Sequence, residues 1–283
     1  MPRSLSDDFE AIASRILASD RVSLLCDFDG TLVPIHEHPA QCFLDASLRS
    51  LLASLAAHRR MSVGIVSGRQ LHDLKHRVGI EGIAYVGNHG LEFDAPDLDD
   101  FEPVAREKQE AVRRTVTDLK AAIAPISGAW IEDKGLSASV HYRQVEPGAV
   151  AALIDLIRIG TLQFVMEGKI VLRPGKMVVE VRPAVAWNKG TAVQRLADRF
   201  PSTLRTALIY LGDDETDEDV FRTRRDDITI CVGDRAATAA NYRVSGPSEV
   251  DGLIRRLANI ILPGDVAGAA EIDSNTTDAR GSR

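Results

Sequence analysis

Two aspartates one residue apart, in Asp27-Phe28-Asp29-Gly30-Thr31-Leu32, can meet one site from a single tight turn, which Gly30 permits. One carboxylate of such a pair can attack phosphorus and carry it as an acyl phosphate. The other can protonate the leaving alkoxide and then take a proton from water. Transferases that preserve a phosphoenzyme often lack the second acid, so Asp29 favours hydrolysis or mutase chemistry. Ser67-Gly68-Arg69 sets a hydroxyl and backbone N–H groups at a predicted helix start, which makes an anion site. Lys189, in Asn188-Lys189-Gly190, could neutralise a phosphate oxygen and hold the nucleophile's carboxylate. The run Gly212-Asp213-Asp214-Glu215-Thr216-Asp217-Glu218-Asp219 concentrates hard oxygen donors of the kind magnesium takes while keeping waters and sharing a substrate phosphate. Asp213 is assigned to the metal, Asp214 to the metal or its support and Asp217 to support. Thr216 and Asp219 have capping-box spacing, and Glu218 and Asp219 are left to helix capping.

Taken singly, each cluster has a plainer explanation: an Asp-Gly turn, a serine N-cap, a solvated lysine, acids in a first helical turn. Position argues otherwise. Val22 to Leu25 reads as a buried strand ending at Asp27, Ser62 to Val66 as one ending at Ser67, and Ala207 to Leu211 as one ending at Asp213. Ile83 to Val86 and Ile228 to Val232 are further strands. Leu48, Leu51, Leu52 and Leu55 repeat at helical spacing, Gln70 to Val78 can be helix, and helices follow Lys189 and Thr216. Alternating strand and helix predicts an α/β, doubly wound, mostly parallel sheet, whose ligands gather at the strands' carboxyl ends.

Between residues 95 and 183 the texture changes. One helix carries Val112, Val116, Leu119 and Ile123, and another Val150, Leu153, Ile154 and Ile157. Ser137 to Arg143 alternates like a strand with one wet face, and two more strand-like runs are marked by Gly168 and Pro174-Gly175. This predicts an α+β domain inserted into the first, with residues 1–94 and 184–263 as the two parts of the core and 264–283 as a disordered tail.

The 283 residues suffice for two domains, and 45% hydrophobic with 27% charged residues is an ordinary globular balance. A net charge of -7 provides no basic field for nucleic acid or an anionic membrane. Cys26, Cys42 and Cys231 lack paired or metal-type spacing, which fits a reducing cytoplasm. The first twenty residues lack a signal peptide's apolar stretch, and no later segment approaches the roughly 18 uninterrupted apolar residues of a membrane span. Oligomeric state is left open, a monomer being compatible.

The four clusters, in this order and each after a strand, resemble the signature motifs of the haloacid dehalogenase superfamily. The resemblance implies Asp27 as nucleophile and metal ligand, Asp29 as acid/base and ligand through its backbone carbonyl, Ser67 and Lys189 on the phosphate, and Asp213 completing a Mg2+ site. An insertion between the serine and lysine motifs resembles the superfamily's larger caps, which supply specificity and close the site. Gly87-Asn88-His89-Gly90, Glu132-Asp133-Lys134-Gly135-Leu136-Ser137, His141-Tyr142-Arg143 and Gly175-Lys176 followed by Glu180 resemble segments of trehalose-6-phosphate phosphatases, so that the likeness runs from Val22 to about Val250.

That family implies a sugar phosphate as partner and hydrolysis of trehalose 6-phosphate. A disaccharide needs many donors and acceptors, and Lys134, Lys176 and Glu180 are the first candidates to grip its hydroxyls, with Asn88 and His89 at the seam between core and cap. Arg69, Glu132, His141 and Arg143 form a second set. Lys134 and Lys176 could instead be turn residues, and His141 and Arg143 the polar face of a strand; Trp187 is read as packing near the hinge. Phe28 stands where the family commonly has tyrosine. No glycosyltransferase domain is attached, which implies a stand-alone phosphatase. Mannosyl-3-phosphoglycerate or sucrose phosphate is the alternative substrate, and a silent sugar-phosphate-binding regulator the alternative from another class.

Overall fold

The computed structural model describes residues 2–262 apart from 37, 97, 99–103 and 105; the expected tail lies outside them. The chain runs β1 (Arg3–Ser4), α1 (Phe9–Leu17), β2 (Arg21–Cys26), α2 (Ala46–Ala57), β3 (Met61–Val66), α3 (Leu71–Val78), β4 (Ala84–Gly87), β5 (Glu92–Asp94), α4 (Arg106–Ile123), β6 (Trp130–Asp133) and β7 (Ala138–His141). It continues α5 (Pro147–Met166), β8 (Ile170–Gly175), β9 (Val178–Pro183), α6 (Lys189–Asp198), β10 (Thr206–Gly212), α7 (Glu218–Thr223), β11 (Ile228–Val232), β12 (Tyr242–Val244) and α8 (Pro247–Ile261).

Eight strands form one sheet in the order β1-β12-β11-β10-β2-β3-β4-β5, parallel throughout except for β4 against β5. Its central strand β2 is an apolar run because both faces are covered. Leu24 and Cys26 pack with α1, α2, α3 and α8, whereas Leu25 packs on the other side with Tyr210 and with Val193 and Val220 of α6 and α7. From β2 the chain moves to β3 on one side and later returns to β10 on the other. That reversal opens a crevice at the carboxyl end of β2, where Asp27 stands.

A second, antiparallel sheet, β6-β7-β9-β8, carries α4 and α5. Period-2 alternation sorts its side chains: Ile131, Ala138, Val140, Val179 and Val181 join the apolar cluster with the helices. Glu132, Ser139 and Glu180 pair across the three strands in one row on the opposite face, which turns toward the crevice. Helix α5 has the length and, with a mean hydropathy of 1.7 over 18 residues, the composition to cross a membrane, without being an uninterrupted apolar run. It carries Asp155 and Arg158 and sets Leu153, Ile157, Thr161 and Phe164 against the sheet, leaving Ile159 and Met166 exposed.

Six elements were not read from the sequence: β1, α1, β5, β6, β12 and α8. β5 and β12 are three residues each, too short for a pattern, and β6 mixes Trp130, Ile131, Glu132 and Asp133. Helix α8 had a legible signal in Val250, Leu253, Ile254, Leu257, Ala258 and Ile261 behind a first-turn proline.

Candidate active site

Asp27 sits one residue past β2, is 4% exposed, and receives a hydrogen bond from Lys189 Nζ at 2.7 Å. Lys189, in the first turn of α6, is 1% exposed and also donates to Asp217 Oδ1 at 2.8 Å. Burial alone would lower its pKa, but Asp217 and Asp27 hold it well above the ordinary lysine range, so it is a fixed cation. Burial pushes the Asp27 carboxyl well up, and Lys189 opposes the shift. Asp217 is likewise pushed up by burial, to about 7, against the pull of Lys189.

Oxygens of Asp27, Asp213 and Asp217 lie within 4.8 Å of one another. Gly30, at φ +88°, lets the two loops meet, because a Cβ there would collide with the Asp213 carboxylate. Three buried carboxylates share Lys189, on Asp27 and Asp217, and the half-exposed Lys176, on Asp213, and the negative charge left over is what a divalent metal would offset. Asp27 and Asp213 are the side chains that fit it. Asp217 is spent on support: it accepts from Lys189, the Tyr210 hydroxyl at 2.6 Å and the backbone N–H groups of Asp213 and Asp214.

Asp214, expected as a ligand, is outside this cluster. Its Oδ1 accepts from Thr216 N, Thr216 Oγ1 and Asp217 N and fixes the turn before α7. Lys189 holds its carboxyl low against burial. The expected capping box does not form; the N-cap of α7 is Asp217, without a side-chain cap. Glu218, read as a helix cap, is 2% exposed and accepts from Ala239 N.

Ser67 Oγ accepts from Arg69 N at 3.2 Å within a local turn; α3 begins later, with Gln70 as its N-cap, so Ser67 caps no helix and lines the cavity. That cavity, about 530 Å³, is lined by Asp27, Asp29, Ser67, Arg69, His89, Glu132, Lys134, His141, Arg143, Lys176, Glu180, Lys189, Asp213 and Asp214. Every side chain expected in the site reaches it except Asn88. Asn88 is fully buried and ties the two layers together: it donates to Glu92 and to the Lys134 carbonyl, and accepts from Ser137 at 2.5 Å. It lies at the seam between core and cap, as expected, and its amide is bonded to protein groups rather than turned into the cavity.

On the cap side, Lys134 Nζ stands 3.6 Å from Glu180 and 4.0 Å from Glu132. His141, stacked on Trp130, meets Glu132 at 3.0 Å. Ser139, His89 and Arg182 hold Glu180. Burial works against ionised Glu180, yet Lys134, His89 and Arg182 keep its carboxyl well below the usual range. Burial lowers His89 to about 4, so its ring is neutral near pH 7. With Glu180 ionised, assignment of the tautomer follows: Nε2 carries the hydrogen donated to Glu180. Ser139 and Arg182 were missed, although both lie two residues along a strand from named candidates or share Glu180's row and face. Trp187 packs edge-on to Phe93 and donates to the Gly90 carbonyl, which is a packing role.

A parallel sheet with a lysine-clamped aspartate at its central strand and an antiparallel insert over it has the architecture of haloacid-dehalogenase-type phosphatases. The trehalose-phosphatase family profile matches residues 25–248, and the chain belongs to that family. It is 34% identical over 255 residues to an uncharacterised glycosyl hydrolase of Mycobacterium tuberculosis, covering 86% of this chain and 19% of that one. It is 33% identical over 251 residues to the trehalose-phosphate phosphatase of the same organism, covering 86% and 62%. The chain thus spans less than two thirds of these curated relatives. In structure it is similar to the C-terminal domain of the C. albicans trehalose-6-phosphate phosphatase, with a TM-score of 0.80, 23% identity and 92% and 98% of the two chains covered.

Proposed function

We propose that this chain hydrolyses trehalose 6-phosphate to trehalose and phosphate through an aspartyl-phosphate on Asp27. The observation that carries the reading is the facing of two sets of groups across one cavity: Asp27 clamped by Lys189 on one wall, Glu132, Lys134 and Glu180 on the other. A carboxylate oxygen of Asp27 bonds to phosphorus as the bond to the sugar oxygen breaks, and Asp29 gives that oxygen its proton. Asp29 then takes a proton from water, the water oxygen attacks phosphorus, and the Asp27–phosphorus bond breaks to release phosphate. Ser67 donates its hydroxyl to a phosphate oxygen, and Lys189 offsets charge on both Asp27 and the phosphoryl group.

The divalent metal is proposed to be Mg2+, which Asp27, Asp213 and the Asp29 backbone carbonyl would hold and which would supply further positive charge against the phosphate. Residues 95–183 act as the cap, with Glu132, Lys134, His141, Lys176 and Glu180 toward the sugar. Three buried free thiols, Cys26, Cys42 and Cys231, suit a reducing compartment and support a cytoplasmic location.

The test is phosphate release from trehalose 6-phosphate, glucose 6-phosphate, sucrose 6-phosphate and mannosyl-3-phosphoglycerate, with Mg2+ and with chelator. A Mg2+-dependent preference for trehalose 6-phosphate is expected. Preference for another sugar would overturn the cap assignment, and silence on all four the reaction itself.

A further inference from the structure

Arg69 is buried, and its guanidinium is spent within the core. Nε donates to Asp29 Oδ2 and Nη2 to Asp29 Oδ1, both at 2.6 Å, so that a planar fork holds both oxygens of one carboxylate. Nη1 donates to Asp73 Oδ2 at 2.9 Å, and the same oxygen accepts from Arg77 Nε at 2.7 Å. Arg77 in turn donates to the carbonyls of Ala40 and Cys42, in the loop that brings Ile35, His36 and Cys42 to the cavity. The Arg69 guanidinium also lies 5.5 Å from the centre of the Phe28 ring. A chain Arg77–Asp73–Arg69–Asp29 therefore runs from α3 into the active-site turn. With 5% of its side chain exposed, Arg69 is the rigid link in it, while Asp29 is 34% exposed and would otherwise be loosely held.

We infer that Arg69 is a positioning residue for Asp29, fixing the rotamer from which that carboxyl exchanges protons with the leaving oxygen and the attacking water, and is not a grip on the sugar. A two-point fork sets both the location and the plane of the carboxylate, which a single lysine bond does not. General acid-base help of about 10²- to 10⁴-fold depends on that placement. The inference rests on the acid/base reading of Asp29 but not on the identity of the sugar.

The test uses the Mg2+-loaded full chain with two substrates, the preferred sugar phosphate and p-nitrophenyl phosphate, which has no sugar to grip. Arg69→Met is expected to lower kcat about tenfold to a hundredfold on both, with KM changed less than about threefold. Arg69→Lys should recover part of the loss. Arg69→Met combined with Asp29→Asn should be no slower than Asp29→Asn alone, because the first residue acts through the second. If Arg69→Met does not fold, Asp73→Asn decides: loosening the guanidinium should reduce kcat on both substrates in the same direction, by less. A loss confined to KM for the sugar phosphate, or losses that multiply in the double variant, would overturn the inference. Activity on p-nitrophenyl phosphate keeps this outcome separate from a wrong choice of sugar.

Discussion

The ε-ammonium of Lys176 lies 2.5 Å from Oδ2 of Asp213. Lys176 and Met177 form the two-residue tip of the β8–β9 hairpin, with Met177 at φ +63°, and the Arg143 guanidinium donates to the Lys176 carbonyl at 3.4 Å. The tip of the antiparallel insert thus places its cation on the carboxylate assigned to the metal. Cation and metal compete for one oxygen. Lys176→Met should therefore tighten Mg2+ binding to the substrate-free protein, by about twofold to fivefold given that Lys176 is 56% exposed and its pair is screened. Isothermal titration reads this directly, and unchanged or weaker binding would count against the competition.

Glu180 sits in the cross-strand row with Ser139 and Glu132 and is held by four neighbours. Glu180→Gln keeps its volume and most hydrogen-bond geometry but removes an acceptor from the sugar-facing wall. KM for the sugar phosphate should rise about tenfold or more, while p-nitrophenyl phosphate turns over at close to the parent rate. Equal losses on both substrates would place Glu180 in the chemistry or in the fold.

Stability should fall as the solution is acidified from about pH 6.5 toward pH 4, and His89 is a named cause. Burial depresses its folded pKa to about 4, below the ordinary 6.5; Arg182 and Lys134 push the same way and Glu180 opposes them. In that window the unfolded chain binds a proton that the folded chain refuses, so unfolding is favoured as pH drops, with no further loss from this group below pH 4. At about 1.4 kcal/mol per unit, the full effect is about 3 kcal/mol. His89→Asn, which tolerates the left-handed backbone at φ +58°, should flatten the curve of urea stability between pH 7 and 5. A curve of unchanged slope would show that other groups set it.

The order of strands and helices was legible because parallel strands covered on both faces are unbroken apolar runs: Val22 to Leu25 and Ala207 to Leu211 announce themselves, and a chemical motif follows each. The site followed from the same rule, since Asp27, Ser67 and Asp213 all stand just past strand ends. Less legible was which polar groups use up their hydrogen bonds on one another. Asn88 sits in a motif that faces a seam, and only the positions of Glu92, Ser137 and the Lys134 carbonyl, up to 49 residues away in sequence, show that its amide is consumed. Asp214 and Asp217 are alike on paper, and the difference lies in which one the Tyr210 hydroxyl and the Lys189 hydrogen bond go to: both go to Asp217, while Asp214 turns to Thr216. Arg69 carries the same lesson, for its fork is directed at Asp29, 40 residues earlier.

The proposed chemistry requires Asp27 to carry the phosphoryl group. The protein, mixed with Mg2+ and substrate and quenched within milliseconds, is treated with borohydride, which reduces an acyl phosphate to an alcohol, and is mapped by peptide mass spectrometry. Conversion of residue 27 to homoserine in the wild type, absent from Asp27→Asn and absent without substrate, is the predicted result. A modified residue elsewhere, or full turnover by Asp27→Asn, would contradict it.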